Sequence, residues 1–154
     1  MNFEEEYKTL ENTIKSYNNN FDSDVLYRAF KLGEKAHQGQ SRNSGKPYYS
    51  HCIAVAKNLA DKKMDLDTII TALLHDTVED TSITIEDIEK QFGTDVANLV
   101  AGVTKLEALE NSTEITKQGE NFRKLLLAMS DDIRVLLVKL SDRLHNIKTL
   151  KYIE

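Results

Sequence analysis

The most regular helical pattern in the chain lies in the middle of the sequence, in Leu66-Asp67-Thr68-Ile69-Ile70-Thr71-Ala72-Leu73-Leu74-His75-Asp76. Its Leu and Ile residues recur at i, i+3, i+4, i+7 and i+8, as side chains on one face of an α-helix do. The pattern predicts a helix over 66–78. The same stretch ends on His75 and Asp76, so two side chains with metal-binding chemistry stand at the end of an apolar element.

On both sides of this stretch the sequence continues in helical patterns. Only Pro47 and six glycines interrupt the chain, so long helices can run almost unbroken. Ser23 is expected to cap the second helix, and Thr84 with Asp87 resembles a capping box. Further helices are predicted at about 3–17, 23–37, 48–62, 85–92, 95–109, 120–130 and from 131 to the end. No period-two strand pattern is found, and the predicted fold class is therefore all-α.

Composition indicates a single globular domain spanning 1–154. Hydrophobic residues make up 40% and charged residues 29% of the chain. The apolar runs are too short to span a membrane, and the acidic N-terminus lacks the pattern of a signal peptide. The single cysteine, Cys52, suits a cytoplasmic protein. The net charge of −5 argues against DNA binding, which needs a basic face.

Histidine and aspartate residues at predicted helix ends form a candidate metal site. His51 lies near the start of the third helix, His75 and Asp76 end the fourth, and Asp142 interrupts a late apolar run. Two imidazoles and two carboxylates suit Mn²⁺ or Fe²⁺, with Zn²⁺ as an alternative. The carboxylates of 79–80 follow within a turn, and a cation would relieve the repulsion among these acids.

Five motifs in order resemble those of RelA/SpoT-type alarmone hydrolase domains. They are residues 40–48 (QSRNSGKPY) followed by His51, 72–81 (ALLHDTVEDT), 100–106 (VAGVTKL), 120–124 (ENFRK) through Met129, and 138–146 (VKLSDRLHN). The resemblance covers about 22–152, nearly the whole chain.

The resemblance implies an HD-type helical bundle with one metal site at converging helix ends. It implies one Mn²⁺ per chain, held by His51, His75, Asp76 and Asp142. It also implies an enzyme that removes pyrophosphate from the 3′ position of guanosine 3′,5′-bis(diphosphate) (ppGpp) or of its pentaphosphate relative, yielding GDP or GTP. Such an enzyme tunes the stringent response.

Matching the motifs position by position implies roles for seven further residues. Glu79 and Asp80 fall where the family activates the attacking water. Arg42 falls where a guanidinium stacks on guanine, which suits its flat and weakly hydrated group. The other substrate-binding positions are Asn43, Ser44, Asn146 and Thr149.

This sequence departs from the family pattern in two places. Asn43 stands where the family usually has Lys, which removes a positive charge near the substrate phosphates. The family's domain continues with further helices, so this chain is expected to be a truncated domain with no synthetase domain and weak activity alone. The apolar residues of its last helix lie on several sides, which predicts self-association or a second polypeptide that covers them.

Two other interpretations remain open from the sequence. One is an HD phosphohydrolase for another nucleotide, since the metal chemistry would be the same and only the polar loop at 38–46, which contains Arg42, favours guanine. The other is an inactive remnant that binds alarmone or a partner helix.

Overall fold

The computed structural model of the protein describes residues 3–42, 45–111 and 133–148, which form α-helices and no strand. The helices are α1 (Phe3–Lys15), α2 (Ser23–Ala36), α3 (Tyr49–Asp61), α4 (Leu66–Leu74), α5 (Thr77–Asp80), α6 (Ile85–Phe92), α7 (Thr94–Asn111) and α8 (Ile133–Lys148). The predicted all-α bundle is confirmed. No helix in these ranges is both long and apolar enough to cross a membrane.

Helix α4 is the central element of the bundle. It packs against α2, α3, α7 and α8, and each of its residues from Thr68 to Leu74 is buried. Burying a Leu or Ile side chain contributes roughly 1.5–3 kcal/mol. The stretch from Thr68 to Leu74 therefore has no solvent-facing side.

Aromatic side chains join α1, α2 and α3 beside this core. Phe30 packs edge-to-face on Tyr7 and Tyr49, with ring centroids 5.3 and 5.5 Å apart. The Tyr49 hydroxyl donates to the Phe30 carbonyl at 2.8 Å. A methyl group at Gly33 would lie 2.5 Å from the Tyr49 ring. The packing of the Tyr49 ring against α2 thus depends on glycine at this position.

Two predicted helix boundaries are wrong. The helix expected over 66–78 ends at Leu74, and α5 begins after a two-residue turn. The His75 ring donates to the Ala72 carbonyl at 2.7 Å, and the Thr77 hydroxyl donates to the Leu74 carbonyl at 2.7 Å. Side chains thus provide hydrogen bonds to carbonyl groups at the end of the helix. The second wrong boundary is the cap of α2.

The cap of α2 is Asp22 rather than Ser23. The Asp22 carboxylate accepts from the backbone N–H groups of Asp24 and Val25 at 3.0 and 3.2 Å. At the start of α6 the predicted capping box is confirmed, with both reciprocal bonds between Thr84 and Asp87 present. The helix predicted at 120–130 and the ends of the last helix, 131–132 and 149–154, lie outside the described residues.

Candidate metal centre and its cavity

Three helix segments bring the four predicted metal ligands together. His51 comes from α3, His75 and Asp76 from the turn between α4 and α5, and Asp142 from α8. All four side chains are buried, and one ligand atom from each lies within 4.8 Å of the others. Residues separated by up to 91 positions thus meet at one point.

The side-chain atoms of this cluster converge as donors around a cation would. The Nε2 atom of His75 lies 3.2 Å from Asp76 Oδ2 and 3.2 Å from Asp142 Oδ1. The His51 Nε2 atom contacts the same Asp142 oxygen. Two imidazole nitrogens and two carboxylates fit a divalent metal of the first transition row. The cluster therefore holds the donor set that a divalent cation requires.

Hydrogen bonds behind the cluster fix its side chains. The His75 Nδ1 atom donates to the Ala72 carbonyl, which leaves Nε2 as its ligand atom. The Tyr48 hydroxyl donates to Asp76 Oδ2 at 2.6 Å. The Nδ1 atom of His145 on α8 lies 2.5 Å from that of His51. No role was assigned to Tyr48 from the sequence, although it belongs to the first motif.

Burial and charge set the protonation of the cluster. Burial alone would raise the pKa of Asp76, but the charge and hydrogen bond of His75 hold it at about 2. Burial also opposes ionisation of Asp142, while hydrogen bonds from His51 and His75 keep its pKa well below the usual range. Burial would lower the pKa of His75, but Asp76 and Asp142 raise it well above the usual value. The cluster concentrates negative charge that a cation or protons must balance.

A cavity of about 450 Å³ opens beside these ligands. This volume is within the range of small-molecule sites. Its lining residues are Ser41, Arg42, Tyr48, His51, Asp76, Glu79, Glu107, Lys139, Asp142 and Asn146. The lining of the cavity therefore includes three of the four candidate metal ligands, together with Arg42 and Asn146.

Hydrogen bonds hold Arg42 through both its backbone and its side chain. Arg42 N–H donates to the Lys46 carbonyl and Tyr48 N–H to the Gln40 carbonyl, at 2.9 and 2.8 Å. The Arg42 guanidinium donates to Asn146 Oδ1 at 3.0 Å. Arg42 and Asn146, predicted to bind substrate, are thus neighbours. The other predicted substrate residues, Asn43, Ser44 and Thr149, lie outside the described residues.

The predicted catalytic carboxylates occupy α5, directly after the metal ligands. Glu79 lines the cavity, whereas Asp80 is not one of its lining residues. Partial burial and the neighbouring Asp76 raise the pKa of Asp80. The structure thus places Glu79 nearer the candidate substrate space.

Lys139 and Glu107 also line the cavity, and sequence reasoning gave them no role. The Lys139 ammonium donates to Glu107 Oε1 and to Asp142 Oδ2, both at 3.2 Å. Lys139 stands three positions before Asp142 on α8, and this helical spacing could have identified it. Glu107 on α7 carries no comparable signal, because its position depends on how α7 packs against α8.

Comparisons with known proteins agree with this geometry. The model of the HD domain family matches residues 29–153. A "GTP pyrophosphokinase" of Myxococcus xanthus is 48% identical over 91% of the chain and 19% of its own length. The "Bifunctional (p)ppGpp synthase/hydrolase SpoT" of Escherichia coli K12 is 46% identical over 94% of the chain and 20% of its own length. The chain thus spans about a fifth of these relatives.

A solved structure shares the fold. It is described as a metazoan ortholog of SpoT that hydrolyzes ppGpp and plays a role in starvation responses. It superposes with a TM-score of 0.66 at 29% identity, covering 86% of this chain and 73% of that chain.

Proposed function

This chain belongs to the HD domain family, and we propose that it is a metal-dependent hydrolase that removes pyrophosphate from the 3′ position of ppGpp or its pentaphosphate relative. Water attacks the phosphorus atom that is bonded to the 3′ oxygen, and the bond between that phosphorus and the 3′ oxygen breaks. The 3′ oxygen takes up a proton to give the 3′ hydroxyl of GDP or GTP, and pyrophosphate is released. One observation carries the proposal, namely that a buried His/Asp cluster and the Arg42–Asn146 pair line one cavity. RelA/SpoT-type relatives at 46–48% identity support the substrate.

Mn²⁺ is the proposed cofactor, one ion per chain. His51, His75, Asp76 and Asp142 would hold it, since their nitrogen and oxygen donors suit this ion. When bound, such a cation lowers the pKa of water and neutralises phosphate charge. The hydrogen bonds to His75 and Asp76 keep these side chains aimed at the common point.

The protein's own residues divide the remaining work. Glu79 and Asp80 follow the ligands directly, and a carboxylate there would accept the proton of the attacking water. Glu79 is favoured for this step because it lines the cavity. Arg42 would stack on the guanine, with Asn146 beside it. Asn43, Ser44 and Thr149 complete the proposed nucleotide contacts.

The setting of the protein is proposed from its surface and composition. A cytoplasmic location suits the single free cysteine, Cys52, which is buried in α3. Acidic net charge supports a protein that does not bind DNA. Helix α8 exposes Ile133, Leu140 and Leu144 by 64%, 54% and 41%. These side chains support self-association, or pairing with a second polypeptide, through α8.

A different nucleotide substrate is the second candidate. The donor atoms of the metal cluster do not select guanine, and among the described residues only Arg42 and Asn146 favour a purine base. An inactive remnant that binds alarmone or a partner helix is the third candidate, and it would keep the cavity but lose turnover.

Substrate comparison tests the proposed function. Purified protein with Mn²⁺ is incubated with ppGpp, GDP and dGTP, and the products are separated by anion exchange. GDP and pyrophosphate should form from ppGpp alone. Asp76→Asn should remove this activity, because it weakens a metal ligand, whereas the exposed Asp61→Asn on α3 should not. Faster release of phosphate or pyrophosphate from dGTP would contradict the alarmone assignment.

A further inference from the structure

Glu107 is a buried carboxyl group to which neither the metal cluster nor the predicted catalytic pair assigns a role. We propose that Glu107 is a positioning residue, which holds Glu79 at the cavity wall and links it through Lys139 to the metal ligand Asp142. The inference rests on the proposed function and deepens it. It names a residue on α7, a helix that contributes none of the predicted ligands.

Lys139 provides the first part of the link. Its ammonium group bonds Glu107 Oε1 and Asp142 Oδ2, each at 3.2 Å. Asp142 Oδ1 faces the two histidines, so Lys139 holds the oxygen that is turned away from them. The lysine side chain is 13% exposed and that of Glu107 11% exposed, so solvent screens this pair weakly.

Glu79 provides the second part. One carboxylate oxygen each of Glu79, Glu107 and Asp76 lie within 4.8 Å of one another, so the carboxyl groups of Glu79 and Glu107 are placed to share a hydrogen bond. Two carboxyl groups share a hydrogen bond only when one of them is protonated. Burial, followed by the bond to Glu79, raises the pKa of Glu107, so Glu107 is suited to be the protonated partner.

The arrangement differs from an ordinary ion pair between two helices. A simple bridge between α7 and α8 would need only Lys139 and Glu107. Here Glu107 also lies beside the exposed Glu79 of α5, close enough to share a hydrogen bond with it. An outer residue that orients a catalytic group typically changes activity by about 10–100-fold when it is removed.

Two substitutions at Glu107 distinguish a role in positioning Glu79 from a role in stabilising the fold. Glu107→Ala removes the bond to Glu79 and should lower kcat for ppGpp by about 10–100-fold with little change in KM. Glu107→Gln can still donate to Glu79 and accept from Lys139, and it should restore most of the wild-type kcat. Glu11→Ala is the matched control, because the side chain of Glu11 on α1 is also 11% exposed.

A measurement on the metal-free protein tests the contact without activity. The ¹³C carboxyl resonance of Glu79, identified by its loss in Glu79→Gln, should shift in Glu107→Ala and not in Glu11→Ala. The proposal is overturned if that resonance does not shift, if Glu107→Ala keeps full kcat, or if Glu107→Gln is as impaired as Glu107→Ala. A wild-type protein that leaves ppGpp intact refutes the proposed function, and the resonance still decides whether Glu107 positions Glu79.

Discussion

His75 illustrates how one side chain is prepared for a metal. Its Nδ1–H group is used by the Ala72 carbonyl, so the lone pair on Nε2 faces Asp76 and Asp142. Burial would lower the pKa of His75, but the neighbouring Asp76 and Asp142 raise it well above its usual value. A cation bound here would compete with a proton for a nitrogen that the fold has already oriented.

At the residue scale, Mn²⁺ bound by these ligands should raise the thermal stability of the protein. Mn²⁺ at about a hundredfold excess over its Kd should stabilise the wild-type protein by about 2.7 kcal/mol, which a higher Tm reports. His75→Ala should abolish the rise, because one donor is lost. Cys52→Ala, a buried change beside His51, should keep it. An equal rise in Tm for His75→Ala would show that the ion binds elsewhere.

Binding and chemistry should separate between Arg42 and the α5 carboxylates. Arg42→Ala removes the guanidinium from the cavity wall, so KM for ppGpp should rise with metal content unchanged. Glu79→Gln keeps the side-chain size and should lower kcat, as Asp80→Asn should if Asp80 shares the step. Steady-state kinetics with metal analysis checks this division. Equal changes in KM for all three variants would contradict it.

At the scale of elements, the turn between α4 and α5 positions the site. The apolar period of α4 was readable from the sequence, and so was the set of His and Asp residues at its end. The break at His75 was not readable, because helical spacing continues through 66–78 and only side-chain bonds to the Ala72 and Leu74 carbonyls end the helix. The Glu107–Lys139 link was also hidden, since it depends on the packing of α7 against α8.

The packing of the Tyr49 ring of α3 against Gly33 of α2 gives the prediction at the scale of elements. Alanine normally stabilises a helix over glycine by about 1 kcal/mol. At Gly33 the added methyl group would lie 2.5 Å from Tyr49, a fully buried side chain. Gly33→Ala should therefore lower the free energy of unfolding by about 1–3 kcal/mol, measured by urea denaturation. A gain in stability would show that the Tyr49 ring moves aside without cost.

For the whole molecule, the site depends on α8 docking against the core. This helix supplies Asp142, Lys139 and Asn146, while Arg42 and His51 come from the first third of the chain. Sequence motifs singled out the four residues of this cluster because the chemistry of each side chain is local. They could not give the distances between them, which arise from the burial of α4 among four helices.

The exposed face of α8 carries the prediction at this scale. Ile133, Leu140 and Leu144 recur at helical spacing and remain exposed in the described part of the chain. The protein should self-associate, and light scattering should give a mass above that of one chain. Leu140→Lys should lower this mass, whereas Lys105→Glu, an exposed change on α7, should not. A wild-type protein that stays monomeric at high concentration, with no partner present, would refute self-association.

The central claim is that the four clustered ligands bind a cation with which this protein hydrolyses ppGpp. ³¹P NMR of ppGpp with the protein in molar excess follows the reaction even when turnover is slow. The account predicts that the 3′-diphosphate signals are replaced by pyrophosphate with wild-type protein and Mn²⁺, and that EDTA or Asp142→Ala prevents this change. Unchanged ppGpp signals with Mn²⁺-loaded wild-type protein, or equal hydrolysis by Asp142→Ala, would contradict it.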